Sequence, residues 1–360
     1  MKIVFFTRLF YPHIGGVEKH VLEISKRLVE RGHDVTIFTE KLNKSHSLSK
    51  QPLARSAKLR GEIDGIKIIR IDPGANNWFK KIRIWARLFE HCFVLKQADV
   101  IHCHDIFFWY LPFHFLFFKK PVFTTFHGYE ENNIPGKKAI LMHKIAEVLS
   151  KGNLCIGEFY KKWYGTNATF VSFGATNSND EKINSNRRIA YLGRLEEEAG
   201  IMEYLRALKV LSDKKYKLKL DIFGDGSQRL LAKDYARDNN LDVSFKGFVN
   251  NADESLKNYE YVFVSRYLGI LEALARKKTV FAIYNNEIKK DYLEMSPFKE
   301  YIAISGNHLE LAKMLEAVIK NPNKEKAKII SGYNWTRKQT WEKMVNLYLK
   351  LWFMGKSSLQ

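Results

Sequence analysis

Cysteine is scarce in this chain: Cys92, Cys103 and Cys155 are its only three, scattered and odd in number. That excludes a disulfide framework and a paired-cysteine zinc site, and it points to a reducing compartment. Long apolar runs are missing too. The longest, Ile106 to Phe118, is interrupted by Pro112 and His114. It falls short of the ~20 residues that cross a bilayer and reads as a buried helix. The N-terminal residues run directly into a core strand, leaving no room for a secretory leader, so a cytoplasmic protein is expected. No repeat of solenoid length is present. Acidic residues are in deficit, 39 Asp and Glu against 59 Lys and Arg, which gives a net charge of +20. Such an excess looks for an anionic partner: nucleic acid, a membrane surface or a phosphorylated substrate. Nucleic acid fits worst, because the basic residues are spread along the chain and no nucleic-acid-binding motif accompanies them.

What is present is an ordinary globular composition, 46% hydrophobic and 27% charged over 360 residues, long enough for two domains with separate cores. Apolar strand candidates are Lys2–Thr7, Val35–Thr39, Ile66–Ile71, Asp99–Cys103, Pro121–Phe126 and Asn153–Ile156. A second series runs through Arg188–Leu192, Lys219–Phe223, Val243–Phe245, Tyr261–Val264 and Val280–Tyr284. Helical stretches separate most of them, the signature of α/β parallel sheets covered on both faces. Asp64-Gly65 between apolar runs suggests a local hairpin. In the first helix, Val17 to Arg31, the residues Val17, Val21, Ile24 and Leu28 share one face. The polar stretch Gly165–Asn186 marks the domain change, so residues 1–165 and 166–334 form the two domains. A last long helix, 335–354, follows.

Several loop residues could carry chemistry. The loop after the first strand ends in Gly15-Gly16 and opens the first helix. It is not a dinucleotide fingerprint with Glu40 on the ribose, because that motif needs three glycines in a tight turn. Glycines there still let backbone N–H groups approach a phosphate at a helix N-terminus. Gly224-Asp225-Gly226 is a partial phosphate-loop match, with Arg229 where a third glycine would stand. Arg194, after strand Arg188–Leu192, can clamp a diphosphate with fork geometry or pair with the adjacent Glu196-Glu197-Glu198 run. Glu272, near the start of a helix Leu271–Arg276, can accept from two ribose hydroxyls or compensate a helix dipole. His127, at a strand end before Gly128, can bond a reacting sugar or accept a proton. His102 and His104 alternate onto one face while Cys103 faces the other, an arrangement more structural than metal-binding. No Asp-x-Asp pair occurs, so neither a metal nor another cofactor is expected.

Trp78, Ile82, Trp85, Phe89 and Phe93 share a helical face, with Lys80, Arg83 and Arg87 opposite. The favoured reading is a core-facing aromatic side and a solvated basic side. The alternative is a helix lying on an anionic membrane surface.

Taken together, Gly15-Gly16-Val17-Glu18, Arg31-Gly32-His33-Asp34-Val35, Thr125-Phe126-His127-Gly128, Gly193-Arg194-Leu195, Phe223-Gly224-Asp225-Gly226 and Leu271-Glu272-Ala273-Leu274-Ala275 resemble the retaining family-4 glycosyltransferases of GT-B fold. The resemblance implies two Rossmann-like, doubly wound domains facing across a cleft, with the segment around Trp341-Glu342 returning the last helix to the first domain. It implies a nucleotide-diphosphate sugar as donor, held by the second domain, and a glycan or lipid-linked acceptor on the first. Gly15 and Gly16 would approach the donor, with Gly224 and Gly226 in its loop. Arg194 would hold the diphosphate, Glu272, next to Leu271, the ribose, and His127 the reacting sugar, with no metal. Separately, the net charge and the basic face of Lys80, Arg83 and Arg87 lead to the expectation of peripheral contact at the inner membrane face. Two positions depart from the pattern: Ala199 stands where the family has a lysine, and Val264 where it has a first glutamate. Arg266 is the candidate to supply the missing cation. The alternatives are a non-catalytic sugar-nucleotide-binding protein and a GT-B-type sugar-nucleotide epimerase.

Overall fold

The structure, a computed structural model, describes residues 1–13, 15–41, 60–129, 134–177, 182–183, 186–249 and 252–357. The chain divides into two compact units, one made of Met1–Glu130, Pro135–Ser172 and Trp341–Gln360, the other of Glu131–Ile134 and Phe173–Thr340.

The first unit runs β1 (Lys2–Thr7), α1 (Gly16–Glu30), β2 (Asp34–Glu40), β3 (Arg60–Ile63), β4 (Ile66–Ile71), α2 (Lys80–Phe89), α3 (Cys92–Gln97), β5 (Val100–His104), α4 (Phe107–Leu116), β6 (Val122–Phe126), α5 (Lys137–Leu149), β7 (Asn153–Ile156), α6 (Phe159–Tyr164) and β8 (Phe170–Ser172). Its sheet is ordered β3-β4-β2-β1-β5-β6-β7-β8. All neighbours are parallel except the hairpin β3–β4. That hairpin turns at Asp64 and Gly65, both at positive φ (50° and 77°), as the Asp-Gly pair requires. The inner strands β1, β2, β5 and β6 are buried almost throughout, because helices cover both faces of a parallel sheet.

The second unit runs β9 (Arg188–Leu192), α7 (Ile201–Asp213), β10 (Lys219–Phe223), α8 (Arg229–Asp238), β11 (Val243–Gly247), α9 (Ala252–Ser255), β12 (Tyr261–Phe263), α10 (Tyr267–Leu274), β13 (Thr279–Ile283), α11 (Glu287–Glu294), β14 (Ile302–Ser305), α12 (His308–Lys320) and α13 (Pro322–Thr336). The sheet order is β11-β10-β9-β12-β13-β14, all parallel. Counted from β9 this is the 3-2-1-4-5-6 winding of a complete Rossmann-type sheet. Its core includes Tyr191, Leu195, Tyr204, Leu205, Leu208, Ile222, Phe263, Phe281 and Leu315.

The long C-terminal helix expected over 335–354 starts later than expected, at Trp341. α13 stops at Thr336 and α14 (Trp341–Ser357) restarts after it. α14 returns to the first unit, where Trp341, Val345, Tyr348 and Trp352 are buried, and Arg31 of that unit binds Asn346 and Glu342.

The aromatic helix is also corrected. α2 buries only Ile84 and Leu88. Trp78 is 83% exposed and Phe93 69%, with Phe79, Ile82 and Phe89 also open to solvent. The core takes the Ile84–Leu88 stripe and leaves the aromatic one outside. The basic side is less available than expected. Lys80 pairs with Glu40 at 3.0 Å and Arg87 with Glu90 at 2.8 Å. Arg83 bonds the Pro73 and Ala75 carbonyls. Phe115, Leu116 and Phe118, at and just beyond the end of α4, are exposed too. Helices α2 and α4 touch, with the Trp85 ring tilted against Phe108 and Phe89 tilted against Phe113. No helix among the described residues is long and apolar enough to cross a membrane.

Candidate functional site

In an open parallel sheet, ligands bind beyond the carboxyl ends of the strands where the winding reverses direction. In the second unit that point lies between β9 and β12, and two arginines sit there. Arg194 follows β9. It is exposed and pairs with Glu198 at 2.9 Å, so it is parked on one of the nearby glutamates. Arg266 follows β12 as the residue that opens α10, and it is half-buried. Both lie close enough to buried Tyr191 to act electrostatically on its hydroxyl. That hydroxyl stays protonated, because burial, Tyr204 and Glu198 push its pKa well up, and it donates to the Arg194 carbonyl at 2.8 Å.

The loop carrying Arg266 is pinned. The Ser265 hydroxyl meets Tyr204 OH at 2.8 Å and accepts from the Ile283 N–H at 3.0 Å. The Tyr267 N–H donates to Tyr292 OH at 2.8 Å, and the two rings stack with centroids 3.8 Å apart. Tyr292 belongs to α11, so α10 and α11 are locked together. One turn earlier on α11 stands Lys289, which is completely buried. Its ammonium donates to the Glu198 carbonyl at 2.6 Å. Burial first, and then the charge of Arg266, draws its pKa down to about 7, against a smaller opposing effect of Glu198. The sequence offered no signal for Lys289, because a lysine on an amphipathic helix is ordinarily solvated.

Glu272 is buried on α10, whose first residue is Tyr267 rather than Leu271. The glutamate therefore sits in the second half of a short helix, where the dipole disfavours negative charge. Dipole compensation cannot be its role. Leu271 beside it is core. Val264, at the place of the family's first glutamate, is buried, and a Cβ on Gly269 would lie 2.6 Å from its methyl group.

Gly224 and Gly226 are explained by backbone packing. A Cβ on Gly224 would stand 1.8 Å from the Gly193 carbonyl oxygen, and one on Gly226 2.4 Å from that of Leu195. The two loops therefore lie directly on each other. The N–H groups of this turn are engaged: Gly224 to Gly247 O, Gly226 to Asp225 Oδ1, Ser227 to Glu196 Oε1 and Gln228 to Leu195 O.

In the first unit the reversal lies between β1 and β5. Gly15 caps α1, and the Glu18 carboxylate folds back against it; Oε2 would lie 2.2 Å from a Cβ there. His13 Nδ1 holds the other oxygen at 3.0 Å. Gly16 is exposed, with open space where a Cβ would go.

His127 ends β6, half-buried, its N–H donating to Asp105 Oδ1 at 2.8 Å. Its Nε2 meets His104 Nδ1 at 2.8 Å, and its ring lies edge-on to His20 at 4.6 Å. Burial, followed by the neighbouring His20 and His102, holds its pKa well below the usual histidine value. His104 and His102 are lowered in the same way, and burial brings His20 to about 3. All four rings are neutral, so each carries one proton on one nitrogen. His104 Nε2 is buried with no protein partner among the described residues. A bare nitrogen there costs less than an orphaned N–H, so His104 donates from Nδ1. His127 Nε2 then accepts, and His127 presents Nδ1–H. It offers a hydrogen bond rather than a base.

A second chain runs from α14. Trp352 Nε1–H, which can only donate, reaches His102 Nδ1 at 3.0 Å. His102 Nε2–H then donates to Thr125 Oγ1 at 2.7 Å. Thr125 donates to Tyr348 OH at 2.8 Å, and Tyr348 donates to His20 Nε2 at 3.0 Å. The indole fixes the first two bonds, and the other two run onward because the Thr125 and Tyr348 hydroxyls have no other acceptor among the described residues. Among the described residues, no three His, Cys, Asp or Glu side chains gather closely enough to hold a metal ion.

Known proteins agree with this architecture. Residues 14–163 match the family described as Glycosyltransferase Family 4, and residues 175–335 that described as Glycosyl transferases group 1. The chain belongs to the family-4-type glycosyltransferases of GT-B fold. A glycosyltransferase from Rickettsia africae ESF-5 superposes with a TM-score of 0.71, at 16% identity over 98% of each chain. Anabaena HepE, solved with UDP and glucose, gives 0.70 at 13% identity, covering 97% of this chain and 98% of that one. One component of the human phosphatidylinositol N-acetylglucosaminyltransferase is 29% identical over 108 residues, a match spanning 29% of this chain and 20% of that protein.

Proposed function

We propose that this glycosyltransferase moves a sugar from a nucleoside-diphosphate donor to a glycan or lipid-linked acceptor, with retention of configuration and without a divalent metal. The observation that carries the reading is the convergence of Arg194 and Arg266 on the switch point of the second sheet. A departing diphosphate gains negative charge as the glycosidic bond breaks, and preorganised cations there lower the barrier. They supply the charge that a metal would otherwise bring. Glu272 is assigned to the ribose hydroxyls and His127 Nδ1–H to a sugar oxygen. Gly224 and Gly226 shape the donor loop, Leu271 anchors the helix bearing Glu272, and the open flank of Gly16, beside Gly15, leaves room for a ligand. Retention follows the family resemblance. Binding of UDP and glucose by HepE supports a nucleotide-sugar donor here.

Peripheral membrane contact belongs to the same reading. The exposed Trp78, Phe79, Ile82, Phe89 and Phe93 form an apolar edge on a chain of net charge +20. With Lys80 and Arg87 already paired, insertion of this edge rather than charge is assigned the larger share of binding. The human relative's name, which includes phosphatidylinositol, supports a lipid-linked acceptor.

The test incubates the protein with UDP-, GDP- and ADP-sugars, with and without lipid-linked acceptor, in EDTA or magnesium. Released nucleoside diphosphate is measured, and the product anomer is read by NMR. Acceptor-dependent release in EDTA with a retained anomer is expected. Donor binding without release in any arm would make the protein a binder, and sugar interconversion without acceptor an epimerase.

A further inference from the structure

Lys289 is an electrostatic anomaly. An ammonium taken out of water costs several kcal/mol unless a counter-charge and hydrogen bonds compensate. This one is completely buried. Among the described residues only one of its three N–H groups has a partner, the Glu198 carbonyl, and no carboxylate stands within ion-pair distance. The one carboxylate that acts on it, Glu198, is bound to Arg194. The other charged group facing it is a second cation, Arg266 from the β12–α10 loop. Tyr292 on its own helix is engaged with Tyr267. Tyr191 and Tyr204, behind the cluster, are protonated, their pKa values pushed up by burial. The ammonium thus lies within electrostatic reach of a second cation at the switch point, with no carboxylate on it, and the lock between Tyr267 and Tyr292 ties its helix to the loop carrying Arg266. A buried ammonium without a counter-charge favours an anion at the surface next to it.

We propose that Lys289 is a positioning residue of the donor site, a buried cation that favours a bound diphosphate from beneath through its charge and its hold on the Glu198 carbonyl, alongside Arg266 and Arg194. The proposal rests on the reading of the second unit as the donor-binding one. It also accounts for Ala199. The Lys289 ammonium sits on the carbonyl of Glu198, the residue adjoining Ala199, so the cation absent at position 199 arrives from α11 instead. Binding an anion raises the proton affinity of the ammonium, so nucleoside diphosphate takes up a proton as it binds. Above neutrality, where the phosphates are already fully ionised, affinity then falls as pH rises from about 7 to 9.

The experiment uses the full chain and isothermal titration with UDP, GDP and ADP, followed by the matching nucleoside. Lys289→Gln keeps a donor for the Glu198 carbonyl and removes the charge; Lys289→Met removes both. Expected for both variants is a loss of at least tenfold in diphosphate affinity, unchanged nucleoside affinity and a flat pH profile over the same range. Thermal stability without ligand should be unchanged or higher in Lys289→Gln, because an uncompensated charge has been removed. Adding Ala199→Lys to Lys289→Gln should recover part of the lost affinity. Wild-type diphosphate affinity and pH profile in folded Lys289→Gln would overturn the role of Lys289 and leave the donor reading standing. Equal loss for nucleoside and diphosphate would reduce Lys289 to a structural prop and also overturn it. If the wild-type protein binds none of the three diphosphates, the donor reading itself fails.

Discussion

Replacing Tyr348 by Phe removes one oxygen from the junction between α14 and the histidines of the first unit. That oxygen accepts from Thr125 at 2.8 Å and donates to His20 at 3.0 Å, and the residue has no solvent exposure. The direction of the chain defines what is left behind: a buried Thr125 O–H without an acceptor and a buried His20 Nε2 without a donor. Each such orphan costs ~1–3 kcal/mol, so a loss of about 2–6 kcal/mol in the stability of the first unit is expected. The assay is urea unfolding followed by a probe in that unit, with two-bond 1H–15N spectra of labelled histidine to read the tautomers. In the wild type His20 carries its proton on Nδ1; in the variant the Nε2–H form becomes populated. Thr125→Val combined with Tyr348→Phe should cost less than the sum of the two single changes, because neighbours in one chain are coupled. Additive losses with an unchanged His20 tautomer would refute the ordered chain.

Other outcomes follow from the same geometry. Arg194→Ala should weaken nucleoside diphosphate binding by ~1.5–3 kcal/mol with the fold intact, checked by titration; unchanged affinity would remove Arg194 from the site. Trp78→Asp with Phe93→Asp should abolish binding to anionic vesicles. In the wild type much of that binding should persist at high salt, so complete release on raising salt would return the dominant role to charge. Neutral, buried His20, His102 and His104 have folded pKa values below the usual 6.5. The unfolded chain therefore takes up protons first as pH falls below 6.5. Stability should drop by up to ~1.4 kcal/mol per pH unit for each of them, and denaturant titrations from about pH 7 to 5 measure it. A flat profile over that range would show that the three titrate normally in the folded chain.

The sheets were legible in the sequence because parallel strands buried on both faces write continuous apolar runs. Ile66–Ile71, Asn153–Ile156 and Lys219–Phe223 appear with the expected bounds. β8 and β14 were not read, since Phe170–Ser172 and Ile302–Ser305 are short and partly polar. Periodicity could not choose between the two stripes of α2. Ile84–Leu88 and the aromatic residues both repeat at helical spacing, and only the neighbouring α4 decides which one is covered. The break between α13 and α14 falls on the polar segment Arg337-Lys338-Gln339-Thr340, which holds neither glycine nor proline to mark a helix end. Switch-point residues such as Arg194 and Arg266 could be placed from strand order alone. Lys289 could not, because its burial depends on how α11 leans on the turn at Glu197–Ala199, a contact between segments far apart in sequence.

The chain order of the two units has a consequence for synthesis. Phe173–Thr340 is one continuous stretch lying between parts of the first unit, so it can complete its sheet while the ribosome still holds the rest. The first unit cannot. Tyr348 and Trp352, which close over His102 and His20, emerge only after that stretch is finished. Until they emerge, the histidine layer lacks the indole that orders its protons. A nascent or prematurely terminated chain would therefore carry a finished second unit beside an unsealed first one. The C-terminal helix makes translation through α14 a condition of the hydrogen-bonded order around His102 and His20.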